Sequence, residues 1–257
     1  MVKKTKLGLP FEYKKSPEFF DALNIGDDTE SKNSVIERLL KTHKVKTVLD
    51  MTCGTGSQVF YLIKHGYEVI GSDFSPELLQ QARTKAKKAG LNITFIDGDI
   101  RNVKVGKFDA IITIFSAVSH LTKSGFAKAI RNIGKNLKDG GIYIFDVSNL
   151  EAMTDTVVAD PWYVHKRNTD SQMCNVQFSI IDKAHGLVTN YDHCIIQKGK
   201  EKPALLKSKF TSQVYTAKEL DEILYANGFE TISRYGLDGE SFVKESTPNI
   251  LTVARKL

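Results

Sequence analysis

Two kinds of apolar pattern alternate along the first half of the chain. Short continuous apolar runs are typical of strands buried on both faces of a sheet, and they occur at Val45–Asp50, Tyr67–Asp73, Ile93–Ile96, Phe108–Phe115 and Ile142–Val147. Runs with apolar residues three and four positions apart predict helices, at Asn33–Thr42, Gln58–His65, Ser75–Ala89 and Gly125–Leu137. Strands that alternate with helices in this way predict right-handed crossovers and a parallel sheet.

The pattern changes after Asn149, where helical spacing gives way to longer β-prone runs. These predicted strands are Cys174–Ile181, Leu187–Ile196 and Leu205–Tyr215. A turn that contains Asp182 and Gly186 separates the first two and predicts a hairpin. Thr216 then caps a last helix that reaches Asn227, and two closing strands follow, at Glu230–Tyr235 and Asn249–Arg255.

Together these elements predict an α/β fold, a Rossmann-like doubly wound sheet of seven strands with a small antiparallel β insert. Residues 33–148 and 216–257 would form the core, and residues 149–215 the insert, placed over the carboxyl ends of the strands. Residues 1–32 are too rich in aromatic side chains for a disordered tail. We therefore expect this N-terminal segment to pack back on the core, where the resemblance of the chain to a known family implies that it forms a lid over the site.

The sequence VKTVLDMTCGTGS, residues 45–57, joins the first strand to the next helix through a glycine turn. Gly54 and Gly56 let the backbone approach a ligand closely, and the helix that follows presents unpaired N–H groups and a positive dipole end. A strand, a glycine turn and a helix in this order predict the nucleotide-binding corner of a doubly wound sheet. A dinucleotide site, however, needs a third glycine where this chain has Val59.

An acidic residue stands at the end of each of the first three predicted strands. Asp50 precedes the glycine turn, where a carboxylate would repel a pyrophosphate but would suit an ammonium or sulfonium ligand. Asp73 is placed to bind two ribose hydroxyl groups, and Asp99 to accept a hydrogen bond from an adenine amino group. Single acids at strand ends are common as helix caps, but three in this arrangement predict S-adenosylmethionine rather than NAD.

The segments VLDMTCGTG, VIGSDFSPELLQQAR, FIDGDI and FDAIITIFSAVSHL resemble the class I S-adenosylmethionine-dependent methyltransferases, over residues 33–148. The resemblance implies that Asp73 holds the ribose, that Asp99 and Ile100 flank the adenine, and that the turn at Gly54 and Gly56 cradles the methionine portion. S-adenosyl-L-homocysteine would be the product. The other residues that we assign to the cofactor site are Tyr13, Asp50, Cys53, Phe74 and Phe115.

Methyl transfer from a sulfonium mainly requires alignment and exclusion of water, and an amine nucleophile needs little more than to be held unprotonated. Candidate side chains follow strands four and five or project from the insert, at Ser116, Ser119, His120, Asp146, Ser148, Asn149, Trp162, Tyr163, His165, Arg167, Tyr191 and His193. We assign catalytic roles to Ser116, His120 and Tyr191, although His120 would serve equally as a structural hydrogen-bonding residue. Tyr191 and His193 alternate along one strand, so that both should face the same way. No metal site is predicted.

Within the class, LNIGDDT, SAVSHL, DKAHGLVTNYD and SKFTSQVYTAKEL resemble the glycine/sarcosine N-methyltransferase group. The arginine that binds the substrate carboxylate in that group falls on Ser148 here, its asparagine after strand four on Ser116, and its lid tyrosine on Asn24. Without the bidentate carboxylate contact of that arginine, there is no reason to expect glycine as the substrate. Arg167 is an alternative cation for an acidic acceptor.

Composition sets wider limits on partners and compartment. The net charge of +6 leaves nucleic acid open as a partner, but the lysines are scattered and no RNA-binding module is recognisable. Three cysteines do not make a disulfide framework, and neither a membrane span nor a signal peptide is evident, so we expect a cytoplasmic protein. The sequence makes no prediction of oligomeric state.

The function predicted from the sequence is methylation of a small-molecule acceptor by S-adenosylmethionine, at an amine nitrogen. Two alternatives stay open at this point. The basic surface would suit an RNA or protein methyltransferase, and cofactor motifs alone would also suit a binding protein without transferase activity.

Overall fold

The computed structural model describes residues 7–13, 16–26, 28–153, 156–158, 162–165 and 171–257. Its strands are β1 Thr47–Asp50, β2 Glu68–Asp73, β3 Phe95–Asp97, β4 Phe108–Thr113, β5 Leu137–Ser148, β6 Thr156–Val158, β7 Trp162–His165, β8 Ser171–Asp182, β9 Leu187–Lys198, β10 Ala204–Gln213, β11 Phe229–Tyr235 and β12 Asn249–Lys256. Its α-helices are α1 Phe20–Asn24, α2 Thr29–Thr42, α3 Ser57–Lys64, α4 Pro76–Lys88, α5 Lys123–Asn136 and α6 Ala217–Tyr225.

Seven of these strands form one sheet in the order β11-β12-β5-β4-β1-β2-β3. The strands β3, β2, β1, β4 and β5 are parallel, whereas β12 runs antiparallel to both β5 and β11. The order reverses direction between β1 and β4, which is where ligands bind in sheets of this kind. The predicted doubly wound α/β fold with seven strands is confirmed.

The two faces of the sheet are covered because its central strands are apolar on both sides. Leu49 and Ile111 belong to a buried cluster with Phe126 of α5, while Val48 belongs to a second cluster with Ile36 of α2. These strands expose almost no side-chain surface along their length. Polar side chains can therefore lie together at the carboxyl ends of β1 to β4.

Local signals in the sequence set the helix boundaries. Ser75 Oγ accepts a hydrogen bond from the Leu78 N–H at the start of α4. Thr216 and Glu219 form a complete capping box at the start of α6. Helix α5 begins two residues before the predicted Gly125, because the side chain of Thr122 caps it.

Two strand boundaries differ from the prediction. Strand β4 ends at Thr113, since Phe115 and Ser116 both have positive φ angles of 59° and 52° and leave the extended conformation. Strand β5 begins at Leu137 rather than Ile142 and passes through Gly140, which has a φ of 70°.

In the described part of the chain, β6 to β10 form a second, antiparallel sheet in the order β10-β9-β8-β6, with β7 also paired to β8. The predicted hairpin connects β8 to β9, with Asp182 opposite Leu187. Burial alternates strictly from Leu187 to Ile195, so that the even-numbered residues of β9 face the interior. The division of the chain into lid, core and insert stays a prediction.

The N-terminal segment lies against this second sheet. Phe11 and Phe19 are buried in a cluster with Met173 and Cys194, and the Gly8 N–H donates to the Thr211 carbonyl at 3.1 Å. None of the described helices is long and apolar enough to cross a membrane.

Candidate active site

A cavity of about 400 Å³ opens at the carboxyl ends of β1, β2, β3 and β4. Its wall includes Cys53 and Gly54 from the glycine turn, Asp73 and Phe74 from the end of β2, and Ile100 from the loop after β3. The N-terminal segment contributes further wall residues, and among them are Leu7, Gly8, Tyr13, Phe20, Asn24 and Ile25. A cavity of this size is in the range that holds a cofactor or drug-sized ligand.

The glycine turn between β1 and α3 has the backbone that the sequence predicts. Gly54 has a φ of 51° and Gly56 a φ of 92°, in the region that side chains disfavour. A Cβ on Gly54 would lie 3.1 Å from the ring of Phe20. Gly56 is the residue before α3 and is not itself part of the cavity wall, so its conformation shapes the turn rather than touching a ligand.

Asp73 holds this turn and also lines the cavity. Its carboxylate accepts hydrogen bonds from the N–H groups of Gly54 and Ser75, both at 2.9 Å. Burial raises its pKa to about 6, although these N–H donors favour the charged form. A carboxylate has about four acceptor positions, so these N–H donors leave room for a hydroxyl group of a ligand.

Asp50 lies behind the cavity wall, which is formed by the neighbouring Met51 and Thr52. Its carboxylate accepts from the Thr52 N–H at 3.1 Å and is 2% exposed. Burial raises its pKa to about 8, with a further increase from the charge of Asp73. Asp50 is therefore not part of the cavity wall, because its side chain turns back onto the loop.

Asp99 and Ile100 both line the cavity after β3. Asp99 accepts from the backbone N–H of Arg101 at 2.8 Å and from its guanidinium, and the hydrogen bonds from that side chain lower its pKa. Arg101 lies in the cavity wall as well. Sequence reasoning missed Arg101, although an arginine two residues after an acid is close enough to pair with its carboxylate.

Two wall residues carry buried polar atoms without a partner. Thr52 Oγ1 and Gln58 Nε2 have no hydrogen bond, and Gln58 is 5% exposed. Buried polar groups are nearly always paired, so these two atoms indicate a polar ligand at the turn. An amide N–H donor and a hydroxyl suit the carboxylate and ammonium of an amino acid, which is the chemistry of the methionine portion of S-adenosylmethionine.

At the other end of the cavity, His120 follows β4 and lies beside the N-terminal segment. Its Nδ1 is 3.2 Å from the Gly8 carbonyl oxygen, which only accepts, so Nδ1 carries the hydrogen and Nε2 has the free lone pair. Burial lowers its pKa to about 4, so the ring is neutral at physiological pH. The ring centroids of His120 and Tyr13 are 5.4 Å apart in an edge contact.

The comparisons with known proteins agree with this geometry. The Methyltransferase domain family matches residues 48–141, which include the glycine turn and all three acids. Glycine N-methyltransferase from Oryctolagus cuniculus is 26% identical over 216 residues, covering 75% of this chain and 72% of that protein. The matched domain and this relative support a class I S-adenosylmethionine-dependent methyltransferase.

Two solved structures share its fold. An S-adenosylmethionine-dependent methyltransferase from Clostridium acetobutylicum superposes with a TM-score of 0.79 at 18% identity, over 95% of this chain and 98% of that one. The S-adenosylmethionine-bound amino pentose methyltransferase CalS10 from Micromonospora echinaspora has a TM-score of 0.76 at 18% identity, over 99% and 100% of the two chains. The cofactor of the methyltransferase described here is S-adenosylmethionine.

Ser116 has a structural position in this methyltransferase, not the one expected of a catalytic residue. Its N–H and its Oγ both donate to Asp146 Oδ2 at 3.0 Å, and it is not part of the cavity wall. These bonds hold Phe115 and Ser116 in consecutive left-handed conformations, and Phe115 does line the cavity. Sequence reasoning proposed Asp146 for the crevice but missed that it fixes this loop.

Tyr191 lies on the outward face of the second sheet. Strand β9 buries Asn190 and Asp192 and turns Tyr191 and His193 the other way, and the Lys209 ammonium stands 5.0 Å from the Tyr191 ring centroid. The two residues do share a face, and neither of them is part of the cavity wall. The side chains of Trp162, Tyr163 and His165, and all of Arg167, lie outside the described residues.

Proposed function

We propose that the methyltransferase acts on an amine nitrogen of a small molecule. The observation that carries this proposal is the neutral imidazole of His120, which lines the cavity and keeps the Nε2 lone pair because Nδ1 donates to Gly8. An amine attacks as the free base, and a hydrogen-bond acceptor that is itself uncharged orients its N–H without attracting the protonated form. The named activities of similar proteins, on glycine and on an amino pentose, support the same class of acceptor.

S-adenosylmethionine supplies a methyl group on a positively charged sulfur, which becomes a neutral thioether when the methyl leaves. In our proposal Asp73 binds the ribose, Ile100 and Asp99 flank the adenine, and Gln58 and Thr52 bind the amino acid end. Tyr13, Phe20 and Phe74 surround the middle of the cavity with aromatic surface, with the Tyr13 ring 5.2 Å from Phe20 and 6.4 Å from Phe74. Such a wall excludes water and favours a cation.

Residues 1–32 act as the lid in this proposal, and their described part has strong anchors on the core. Ser75 Oγ donates to the Tyr13 carbonyl at 3.1 Å, and Gln81 Nε2 donates to the Pro17 carbonyl at 2.7 Å. Asp21 accepts from Thr55 Oγ1 and pairs with the Lys85 ammonium, each at 2.5 Å. The segment therefore covers the glycine turn through contacts on both sides of the cofactor site.

A panel of primary, secondary and aromatic amines tests the proposal, with mass spectrometry detecting the N-methyl product and S-adenosylhomocysteine. We expect His120→Asn to lower turnover at least about tenfold, because asparagine keeps a donor for Gly8 but lacks Nε2. His185→Asn is the matched control, since His185 is exposed on the β8–β9 hairpin and paired with Asp182. Methylation confined to oxygen, RNA or protein acceptors would reject an amine acceptor.

Glycine and sarcosine should be poor acceptors in this panel. Ser148 ends β5 at the position of the carboxylate-binding arginine in the glycine/sarcosine N-methyltransferase group. The hydroxyl of serine is uncharged and cannot form an ion pair with a carboxylate. Rapid methylation of glycine by the unmodified protein would overturn this expectation and would direct attention to Arg167.

A further inference from the structure

The inner face of the second sheet is polar where a core is usually apolar. Asn175, Ser179, Asn190 and Asp192 are each at most 7% exposed on this face. The Ser179 hydroxyl donates to Asn190 Oδ1 at 2.7 Å, so this pair satisfies itself. A row of buried polar groups costs stability unless each group has a hydrogen-bond or charge partner. A member of the row without such a partner therefore indicates a ligand.

Asp192 lies at the centre of this row without a cation. Gln177 Nε2 donates to Asp192 Oδ1 at 2.7 Å, and Ser208 Oγ donates to Asp192 Oδ2 at 2.8 Å. Neither donor is charged, and no ion pair among the described residues includes Asp192. Buried carboxylates are normally paired with a cation, and none of the described side chains supplies one to Asp192.

Glu12 approaches the same face from the N-terminal segment. The preceding Phe11 is buried against Met173 and Cys194, and Cys194 is the inward neighbour of Asp192 on β9. Glu12 is 6% exposed and, in the described part of the chain, also has no ion pair. Burial raises its pKa, and the negative charge of Asp192 raises it further.

A third acceptor of hydrogen bonds lies beside these two acids. Asn175 Oδ1 is buried and has no partner, in a side chain that is 3% exposed. Asn175 pairs with Cys194, and Gln177 with Asp192, so Asn175 and Asp192 are diagonal neighbours on the inner face. Its unpartnered oxygen is an independent sign that the row is built to receive donors from a ligand.

The row itself is not part of the cavity wall, and Asn24 connects the two. Asn24 lines the cavity, and its Nδ2 donates to Glu12 Oε1 at 3.3 Å. Its amide is thus the polar contact between the site of methyl transfer and the acidic row.

We propose that Glu12, Asp192 and Asn175 bind a second, positively charged nitrogen of the acceptor. The acceptor is then a small diamine or polyamine, methylated at one nitrogen and anchored by a protonated one. This inference rests on the proposed function and adds the substrate class. An ammonium group carries three N–H donors and no acceptor, which complements two carboxylates and an amide oxygen, whereas an anionic acceptor would be repelled.

Calorimetry with S-adenosylhomocysteine present tests the anchor. The probes are α,ω-diamines with chains of three to six carbons, the n-alkylamines of equal length, and the corresponding ω-amino acids. We expect the best diamine to bind the wild type at least about tenfold more tightly than its matched monoamine, with the amino acid weaker still. Glu12→Gln and Asp192→Asn should each remove most of this preference.

Asp182→Asn is the matched control, because Asp182 is on the same sheet but exposed and paired with His185. It should keep the full preference for the diamine. Glu12→Gln retains an acceptor for Asn24, so it separates loss of charge from loss of folding, and circular dichroism verifies the fold of each variant.

Equal affinity for diamine and monoamine in the wild type would overturn the anchor, as would a preference that both variants keep. Displacement of the diamine by magnesium chloride would also overturn it, in favour of a metal ion. Monoamines methylated without any diamine preference would leave the proposed function standing while the anchor fails. Diamines bound through Glu12 and Asp192 but never methylated would support the anchor and reject the proposed function.

Discussion

The carbonyl oxygen of Gly8 lies 3.2 Å from Nδ1 of His120, across 112 positions of sequence. Gly8 is held in turn by its N–H donation to the Thr211 carbonyl on β10. One backbone segment therefore connects the second sheet to the histidine after β4. This contact determines which nitrogen of His120 carries the hydrogen, and it makes the tautomer depend on the N-terminal segment being in place.

The neutral state of His120 gives a prediction for the pH dependence of stability. The pKa of His120 is lowered to about 4, below the roughly 6.5 of an unfolded histidine. The unfolded chain then binds more protons, so this contribution to stability is lost as pH falls from about 6.5 to about 4. Denaturant unfolding across this range should show a smaller pH slope for His120→Asn than for the wild type. Equal slopes would mean that His120 titrates normally.

Asp73 should matter for both the cofactor and the turn. Asp73→Ala should weaken S-adenosylhomocysteine binding by about tenfold or more and should lower the melting temperature, because two buried N–H groups lose their acceptor at about 1–3 kcal/mol each. Asp73→Asn retains one acceptor oxygen and should recover part of the stability. Calorimetry and thermal melts measure the two effects separately.

Asp97→Asn is the control for Asp73, since Asp97 ends the neighbouring strand but is 55% exposed and paired with Arg83. Unchanged cofactor affinity in Asp73→Ala, with the fold intact, would remove Asp73 from the site.

Asp50→Asn should have an effect that depends on pH. The pKa of Asp50 is raised to about 8, so the folded state holds its proton up to that pH while the unfolded state has lost it. Its contribution to stability is present below about pH 4 and is lost as pH rises to about 8. The melting temperature of Asp50→Asn minus that of the wild type should be larger at pH 9 than at pH 5. A difference independent of pH would show that Asp50 is ionised at both values.

Ser116→Ala should leave turnover within about threefold of the wild type. The Ser116 N–H still donates to Asp146 in this variant, and the loss of one hydroxyl bond costs about 1 kcal/mol of stability. Asp146→Ala removes both bonds and should disturb Phe115 and the cavity much more. A hundredfold loss of turnover in Ser116→Ala, measured by steady-state kinetics, would show that Ser116 is catalytic.

Tyr191→Phe should have no effect on turnover or on cofactor affinity, because the ring lies on the outward face beside Lys209. Asn190→Ala, one residue earlier on the inward face, is the informative neighbour and should lower stability by leaving Ser179 without its partner. A clear loss of turnover in Tyr191→Phe alone would contradict the orientation of β9.

The sequence by itself was enough for the strands, the helices and the cofactor corner. Apolar runs indicate burial on both faces of a parallel strand. Gly54 and Gly56 indicate a positive-φ backbone conformation that other residues adopt with difficulty. The positions of Asp73 and Asp99 follow from the same local signals, since an acid at a strand end lies at the edge where the ligand binds, whereas Ile100 was assigned from the family resemblance. These features depend on residues that are close together along the chain, and for this reason they can be predicted from one sequence.

The tertiary structure alone decided the acceptor end of the cavity. Alternation shows that Tyr191 and Asp192 face opposite ways but not which of them is buried, because that depends on what packs against the sheet. The partner of His120 is Gly8, and the partner of Ser116 is Asp146, both distant in sequence and brought together only by the fold. Glu12 and Asp192 are 180 positions apart, and no local pattern predicts that packing of Phe11 on β8 and β9 brings two acids to one face.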